Sequence, residues 1–328
     1  MNKRIAIIGA GLSGLCVARD LSAHADVVLF EKSRGVGGRM STRYADPFYF
    51  DHGTQYFTAR TQAFTDFLAP FIEEAVIGAW RGDVADLQLG QRPSLHQWSE
   101  PHWVATPHMN SLCKHLAQGL DVRLSVEVAP LSQRHNGRWL MRDRDGHDLG
   151  AFDWVVSTAP AVQTLRLLDQ AMDNASPLHA SRMKGCYALM IGLRQRWDQP
   201  WIAAKVRDNP IAWIAVNSTK PHRDHAITSL VVHSDNDWAE QHIDEAVEDI
   251  QPILISQFEA LTGMDVRKAD YLTTHRWRYA LVGETGGAGF MLDPNHHTAA
   301  TGDWASVSRI EEVWHNAKTL AKEILALV

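Results

Sequence analysis

The chain has 328 residues, of which 45% are hydrophobic and 21% charged, with a formal net charge of -6. That length suggests about two domains, with interior enough for a buried cofactor and a substrate pocket. No low-complexity tract, solenoid repeat or Lys/Arg cluster is present, which excludes disordered, repeat and phosphate-backbone-binding classes.

Residues 3–8 read as a short buried strand, 12–22 as a helix and 26–30 as a second buried strand, a βαβ start. The first apolar run is too short for a signal core or a membrane span and leads straight into glycines, which predicts a cytoplasmic protein. Further strands are expected at 48–51, 122–128, 138–142 and 153–157, with helical spacing over 109–120. Residues 187–232 alternate apolar and polar positions, the pattern of a one-sided antiparallel sheet and of a second domain. A helix over 239–261, kinked or broken near Pro252, and a last helix over 310–327 complete the reading. No Pro/Gly/Ser linker is present, so the chain is expected to cross between domains several times. Cys16, Cys113 and Cys186 are widely spaced and read as free thiols. The 17 histidines form no HExxH or other paired ligand spacing; His222, His225, His296 and His297 read as loop residues, and no metal site is expected.

The strongest chemical signal is GAGLSG, with Gly9, Gly11, Leu12, Ser13 and Gly14 set between the first strand and first helix. In that context the first glycine permits a tight turn, the second lets a diphosphate approach the backbone, and the third lets helix and strand pack closely. The helix N-terminus adds unpaired N–H groups and positive dipole. Glu31 ends the second strand, followed by Lys32, and is placed to accept hydrogen bonds from an adenosine ribose; its acidity disfavours a ribose phosphate.

The second glycine-rich turn, KSRGVGGRMSTR with Gly38, Arg39 and Met40, has no use in an NAD-only domain. It resembles the GG-doublet motif of the flavin amine oxidase superfamily. DHGTQYF, with His52, Gly53, Thr54, Gln55 and Tyr56, resembles that superfamily's segment beside the isoalloxazine ring. VVSTAP (155–160) resembles its returning strand, and TGDW, with Gly302 and Asp303, its late Gly-Asp motif. The resemblance implies non-covalent FAD. Arg39 would neutralise the diphosphate, Asp303 would bind the ribityl or phosphate part, Val128 would touch the cofactor, and Ile310, with Ser308 and Arg309, would open the last helix toward the flavin. It also implies an α/β fold. A Rossmann-type FAD-binding domain of p-hydroxybenzoate hydroxylase-like topology would span 1–75, 106–165 and 276–328. A second α+β substrate domain on a mixed or antiparallel sheet would span 76–105 and 166–275.

Short length, DHGTQYF and THRWRYA (274–280) resemble a small branch of the superfamily. That likeness implies an oxidase of the 2- and 6-dihydro isomers of NAD(P)H, forming NAD(P)+ and passing electrons to molecular oxygen as hydrogen peroxide. Two readings of the residues agree with it. No second GxGxxG in a strand-helix context receives a separate reductant, and a dihydronicotinamide carries its own driving electron pair, so stacking matters more than a base. Strand alternation puts His275, Trp277 and Tyr279 on one face, Trp277 being the candidate substrate-side residue and His275 a candidate acid or base. An amine or polyamine oxidase, or a desaturase, shares the same FAD motifs. Lys184, Lys205 and Lys220 lie in no context that assigns an active-site lysine.

Overall fold

The computed structural model describes residues 2–328. The chain divides into two compact units, one of residues up to Arg39, 113–183 and 281–328, the other of 40–112 and 184–280.

The first unit is built on a six-stranded sheet. Its order is Phe290–Asp293, Thr298–Thr301, Trp154–Ser157, β1 (Arg4–Ile8), β2 (Asp26–Glu31) and Asp121–Leu124. All pairs are parallel except the first, where Phe290–Asp293 runs against Thr298–Thr301. β1 and β2 are joined by helix α1 (Leu12–Leu21), whose Leu12, Leu15, Val17 and Leu21 are buried. Near-continuous apolar strands are what a parallel sheet covered on both faces requires. The last helix, Ile310–Leu325, packs on α1. Lys318 closes the contact on Asp20 at 2.6 Å. A three-stranded antiparallel sheet, Arg134–His135, Arg138–Arg142 and Asp148–Phe152, belongs to the same unit and shares its core through Trp139, Met141 and Phe152.

The second unit holds a seven-stranded sheet in the order Tyr271–Glu284, Arg182–Leu193, Thr228–Ser234, Ile211–Val216, Ala203–Val206, Val84–Leu87, Ser94–His96. It is mixed, because Ala203–Val206 pairs parallel with Val84–Leu87 while the neighbouring pairs are antiparallel. Ile250, Leu254 and Phe258 of helix Val247–Thr262 cover it, each fully buried. Fully burying such side chains contributes about 1.5–3 kcal/mol apiece.

The four crossings between units fall at other residues than the sequence suggested. Residues 40–75 and 106–112 group with the second unit, as do 276–280, while 166–183 group with the first. The physical reason for 40–75 is local: strand Phe48–Phe50 packs on Thr228–Ser234, and the residue after it, Asp51, is ion-paired with Lys220.

Two helices also differ from expectation. The predicted 239–261 helix is two, Asn236–Gln241 and Val247–Thr262, and Pro252 rides inside the second. The break lies at 242–246 because those carbonyls have other donors. Tyr187 Oη bonds the His242 carbonyl at 2.7 Å, and Arg276 bonds those of Ile243 and Glu245 at 2.9 and 2.8 Å. The 109–120 helix is confined to Ser111–Leu116, the Met109 N–H being given to Asp51 and Gly119 adopting φ +78°. All three cysteines are free and buried, and burial pushes the Cys113 and Cys186 thiols up to about 12. No helix among the described residues is long and apolar enough to cross a membrane.

Candidate active site

In the first unit, β1 runs into a turn that leaves one open space at the head of α1. Gly9 takes φ +106°, and its N–H bonds the Phe30 carbonyl at 2.8 Å. A Cβ on Gly14 would lie 2.0 Å from the Gly9 carbonyl oxygen and 2.8 Å from Thr158 Oγ1, so this glycine is required by packing. Gly11 is different. A Cβ there would meet only the Gly38 Cα, at 4.0 Å. Apart from its chain neighbours and its own helix, no other protein atom lies within 4 Å of that position.

Three further features mark that space. The N-terminus of α1 has no side-chain cap, so its first N–H groups await an acceptor. Ser13 Oγ is buried without a hydrogen-bond partner. The second glycine turn comes to backbone distance, with the Gly37 N–H on the Ala10 carbonyl at 2.9 Å and Gly38 at φ +53°. An uncapped helix N-terminus, an orphan hydroxyl and a glycine-walled opening together suit an anion such as a diphosphate.

Glu31 is buried and brackets the turn: one carboxylate oxygen accepts the Ala10 N–H at 2.9 Å and the other the Ser33 N–H at 2.8 Å. An ionised carboxylate has about four acceptor positions, so a ribose diol can still be received. Lys32 bonds Gln163 at 3.2 Å on the surface.

Arg39 and Asp303 are engaged with each other in a way the sequence did not suggest. The guanidinium grips the carboxylate bidentately at 2.6 and 2.7 Å, and Ser308 Oγ adds a bond to Asp303 at 2.6 Å. The pair is electrically balanced. The α1 terminus and backbone N–H groups add positive potential at the opening. Gly302 is needed because a Cβ would lie 2.8 Å from Trp304 Nε1, which holds the Ala159 carbonyl at 3.1 Å. Val128 is buried in the core and bridges Asp143, and Ile310 opens the last helix after Arg309.

The second unit gathers a separate group of rings. The His52 ring stacks on Trp277 with centroids 5.0 Å apart and meets His275 edge-on at 5.0 Å; His275 and Trp277 are 4.5 Å apart. Trp277 Nε1 donates to the His52 carbonyl at 2.9 Å, and His233 Nε2 donates to the same oxygen at 3.0 Å. Tyr279 is half-buried and not a member of this ring group. Tyr56 instead contacts His102 at 4.1 Å, beside Trp98 and Trp213. Gln55 points inward: its amide bonds the carbonyls of Asp51 and Gly53. Gly53 and Thr54 lie partly exposed beside the buried His52, and Met40 is buried.

The three histidines are neutral near pH 7. Burial pulls His52 down to about 3, helped by His275 and Arg43. Burial and Arg43 pull His275 to about 4, and burial likewise pulls His233 to about 4. The result is a weakly polar aromatic wall without a fixed charge of its own. Of the lysines, Lys184 is paired with Asp237 at the surface, Lys205 is exposed, and Lys220 is fully buried against Asp51. Sequence reasoning missed Asp51, Thr158 and His233. Asp51 opens DHGTQYF and Thr158 lies within VVSTAP, so both carried a signal; His233 carried none.

Comparison with known proteins follows the same lines. Residues 7–71 match the family described as NAD(P)-binding Rossmann-like domain, and residues 59–300, more than half of the chain, match flavin containing amine oxidoreductase. The renalase of Mus musculus is 25% identical over 299 residues, covering 85% of each chain. Among solved structures, a provisionally named protoporphyrinogen oxidase from Exiguobacterium sp. 255-15 superposes with a TM-score of 0.80 at 14% identity, covering 99% of each chain. Putrescine oxidase bound to putrescine gives 0.75 at 11% identity, again over 99% of each. At these identities the structures share the fold: a Rossmann-type unit with a second unit on a mixed sheet.

Two outcomes are expected. Gly11→Val should fold, since the added atoms enter open space, yet be purified without flavin colour; a yellow Gly11→Val protein contradicts the reading of the opening. The histidine wall sets a pH dependence. Its folded-state values, about 3 for His52 and about 4 for His275, lie below the unfolded value of about 6.5, so unfolded chains bind more protons between about 6.5 and about 3. The stability is complete above about pH 6.5 and is lost as pH falls through this window. Denaturant unfolding followed against pH should fall less steeply for His275→Gln than for the parent, and identical slopes would refute the assignment.

Proposed function

The chain belongs to the flavin containing amine oxidoreductase family, and on that premise we propose that it oxidises the 2- and 6-dihydro isomers of NAD(P)H to NAD(P)+, as a renalase-like, FAD-dependent oxidase. FAD is the cofactor of this family, and the first unit has the means to hold it. Gly9, Gly11, Leu12, Ser13 and Gly14 would receive the diphosphate, Glu31 the adenosine ribose, and Gly38 would wall the opening. The Arg39–Asp303 pair would contribute hydrogen-bonding groups and Ile310 the start of the last helix. When bound, FAD would supply two-electron chemistry, as acceptor of a substrate hydride with oxygen as the final acceptor, reduced to hydrogen peroxide.

The observation that carries the choice of substrate is the neutral His52–His275–Trp277 wall. An amine arrives protonated and must lose that proton before it can give up hydride, which calls for a base tuned near the working pH. Imidazoles held near 3 and 4 are poor bases there; burial lowers Lys220 to about 8, but its ammonium is wholly buried and bonded to Asp51 and Gln55 instead of facing an open space. A dihydronicotinamide needs no base, because its ring nitrogen pushes the hydride out. It needs a flat surface and alignment. Trp277, fixed through its indole N–H, and the neutral imidazoles offer both. The similarity to mouse renalase over most of both chains supports the same choice.

Anaerobic mixing of the holoprotein with the 2-, 4- and 6-dihydro isomers and, separately, with putrescine tests it. The 2- and 6-isomers are expected to bleach the flavin in a single turnover, one equivalent per bound FAD, with one peroxide formed per substrate in air. Bleaching by putrescine and by none of the isomers would replace this reading with an amine oxidase.

A further inference from the structure

Asp51 carries four side-chain hydrogen bonds, and every polar atom it has is in use. One carboxylate oxygen accepts from Thr42 Oγ1 at 2.7 Å and the Met109 N–H at 3.0 Å. The other accepts from Lys220 Nζ at 3.0 Å and Arg223 Nη2 at 2.8 Å. The main-chain N–H reaches Asn217 Oδ1 at 3.4 Å, and the carbonyl accepts from Gln55 Nε2. The Asp51 and Lys220 side chains are wholly buried and that of Arg223 is 3% exposed. Burial alone would raise the Asp51 pKa, but the two cations outweigh it and hold the carboxyl well below its usual range.

A buried ion cluster is a poor means of gaining stability, because desolvation offsets the attraction and apolar residues of the same volume serve as well. What it supplies is a fixed position. The next residue is His52, whose carbonyl is the acceptor shared by Trp277 Nε1 and His233 Nε2, and whose ring stacks on Trp277. From this geometry we propose that Asp51 is a positioning residue: clamped by Lys220 and Arg223, it sets the place of the His52 carbonyl and through it the orientation of the Trp277 ring toward substrate. The inference rests on the reading of Trp277 as a substrate-side residue. Asp51 itself touches no substrate. Its influence passes through one peptide and two hydrogen bonds, all within the second unit.

The test uses the holoprotein with 15N-labelled tryptophan, in which the Trp277 indole signal is the one that vanishes in Trp277→Phe. In Asp51→Asn combined with Lys220→Met, which removes one charge of each sign, that signal is expected to shift and its hydrogen to exchange faster while the other indoles hold. The rate of flavin reduction at saturating 6-dihydro-NAD should fall about tenfold to a hundredfold. Asp51→Glu, which keeps the charge and lengthens the arm, provides a second variant that retains the cluster and should show a smaller shift of the same signal. A Trp277 signal and reduction rate unchanged in either folded variant, whatever happens to thermal stability, would overturn the proposal. Trp277→Phe reducing at the parent rate would instead remove the substrate-side reading on which it rests.

Discussion

The close approach of two glycine turns in front of an uncapped helix is the constraint on which the first unit depends. Gly14 brings α1 onto β1, Thr158 Oγ1 bonds the carbonyls of Ile8 and Gly9 at 3.1 Å each, and Gly38 stands opposite Gly11. A side chain at Gly14 would collide with the Gly9 carbonyl, and Gly38 is held at φ +53°, where a side chain is strained. A side chain at Gly11 would meet the space itself. The distinction separates glycines required by the fold from one that leaves open space, and it is the physical content of the motif.

The second unit solves a different problem. On the proposed reading, a hydride donor with its own electron push asks for alignment, so the useful properties of a wall would be flatness, neutrality and rigidity. Flatness comes from His52, His275 and Trp277, neutrality from burial, and rigidity from the Asp51 cluster one residue before His52. Charge is thus present but set behind the wall, where it fixes the backbone.

Much of this was legible in the sequence where the signal is local. The βαβ start, the run of glycines, Glu31 and the adjacent His275 and Trp277 all lie within a few residues of the features that define them. The Arg39–Asp303 pair spans 264 residues and the Asp51–Lys220 pair 169, and no periodicity encodes such distances. Arg39 and Asp303 were each singled out by resemblance as expected cofactor contacts, but their grip on one another is a tertiary fact. The helix break at 242–246 was misplaced to Pro252 for a similar reason: Tyr187 and Arg276, which take the carbonyls, come from distant strands. Unit boundaries suffered likewise, since strand Phe48–Phe50 follows the nucleotide motif in the chain yet packs on Thr228–Ser234.

The central claim is that the opening at Gly11 receives the diphosphate of a dinucleotide. Calorimetric titration of the deflavinated chain with FAD and with FMN, which lacks both the diphosphate bridge and the adenosine, reads this directly. The account predicts one FAD bound per chain, with FMN at least about a hundredfold weaker. Equal affinity for the two flavins would contradict it.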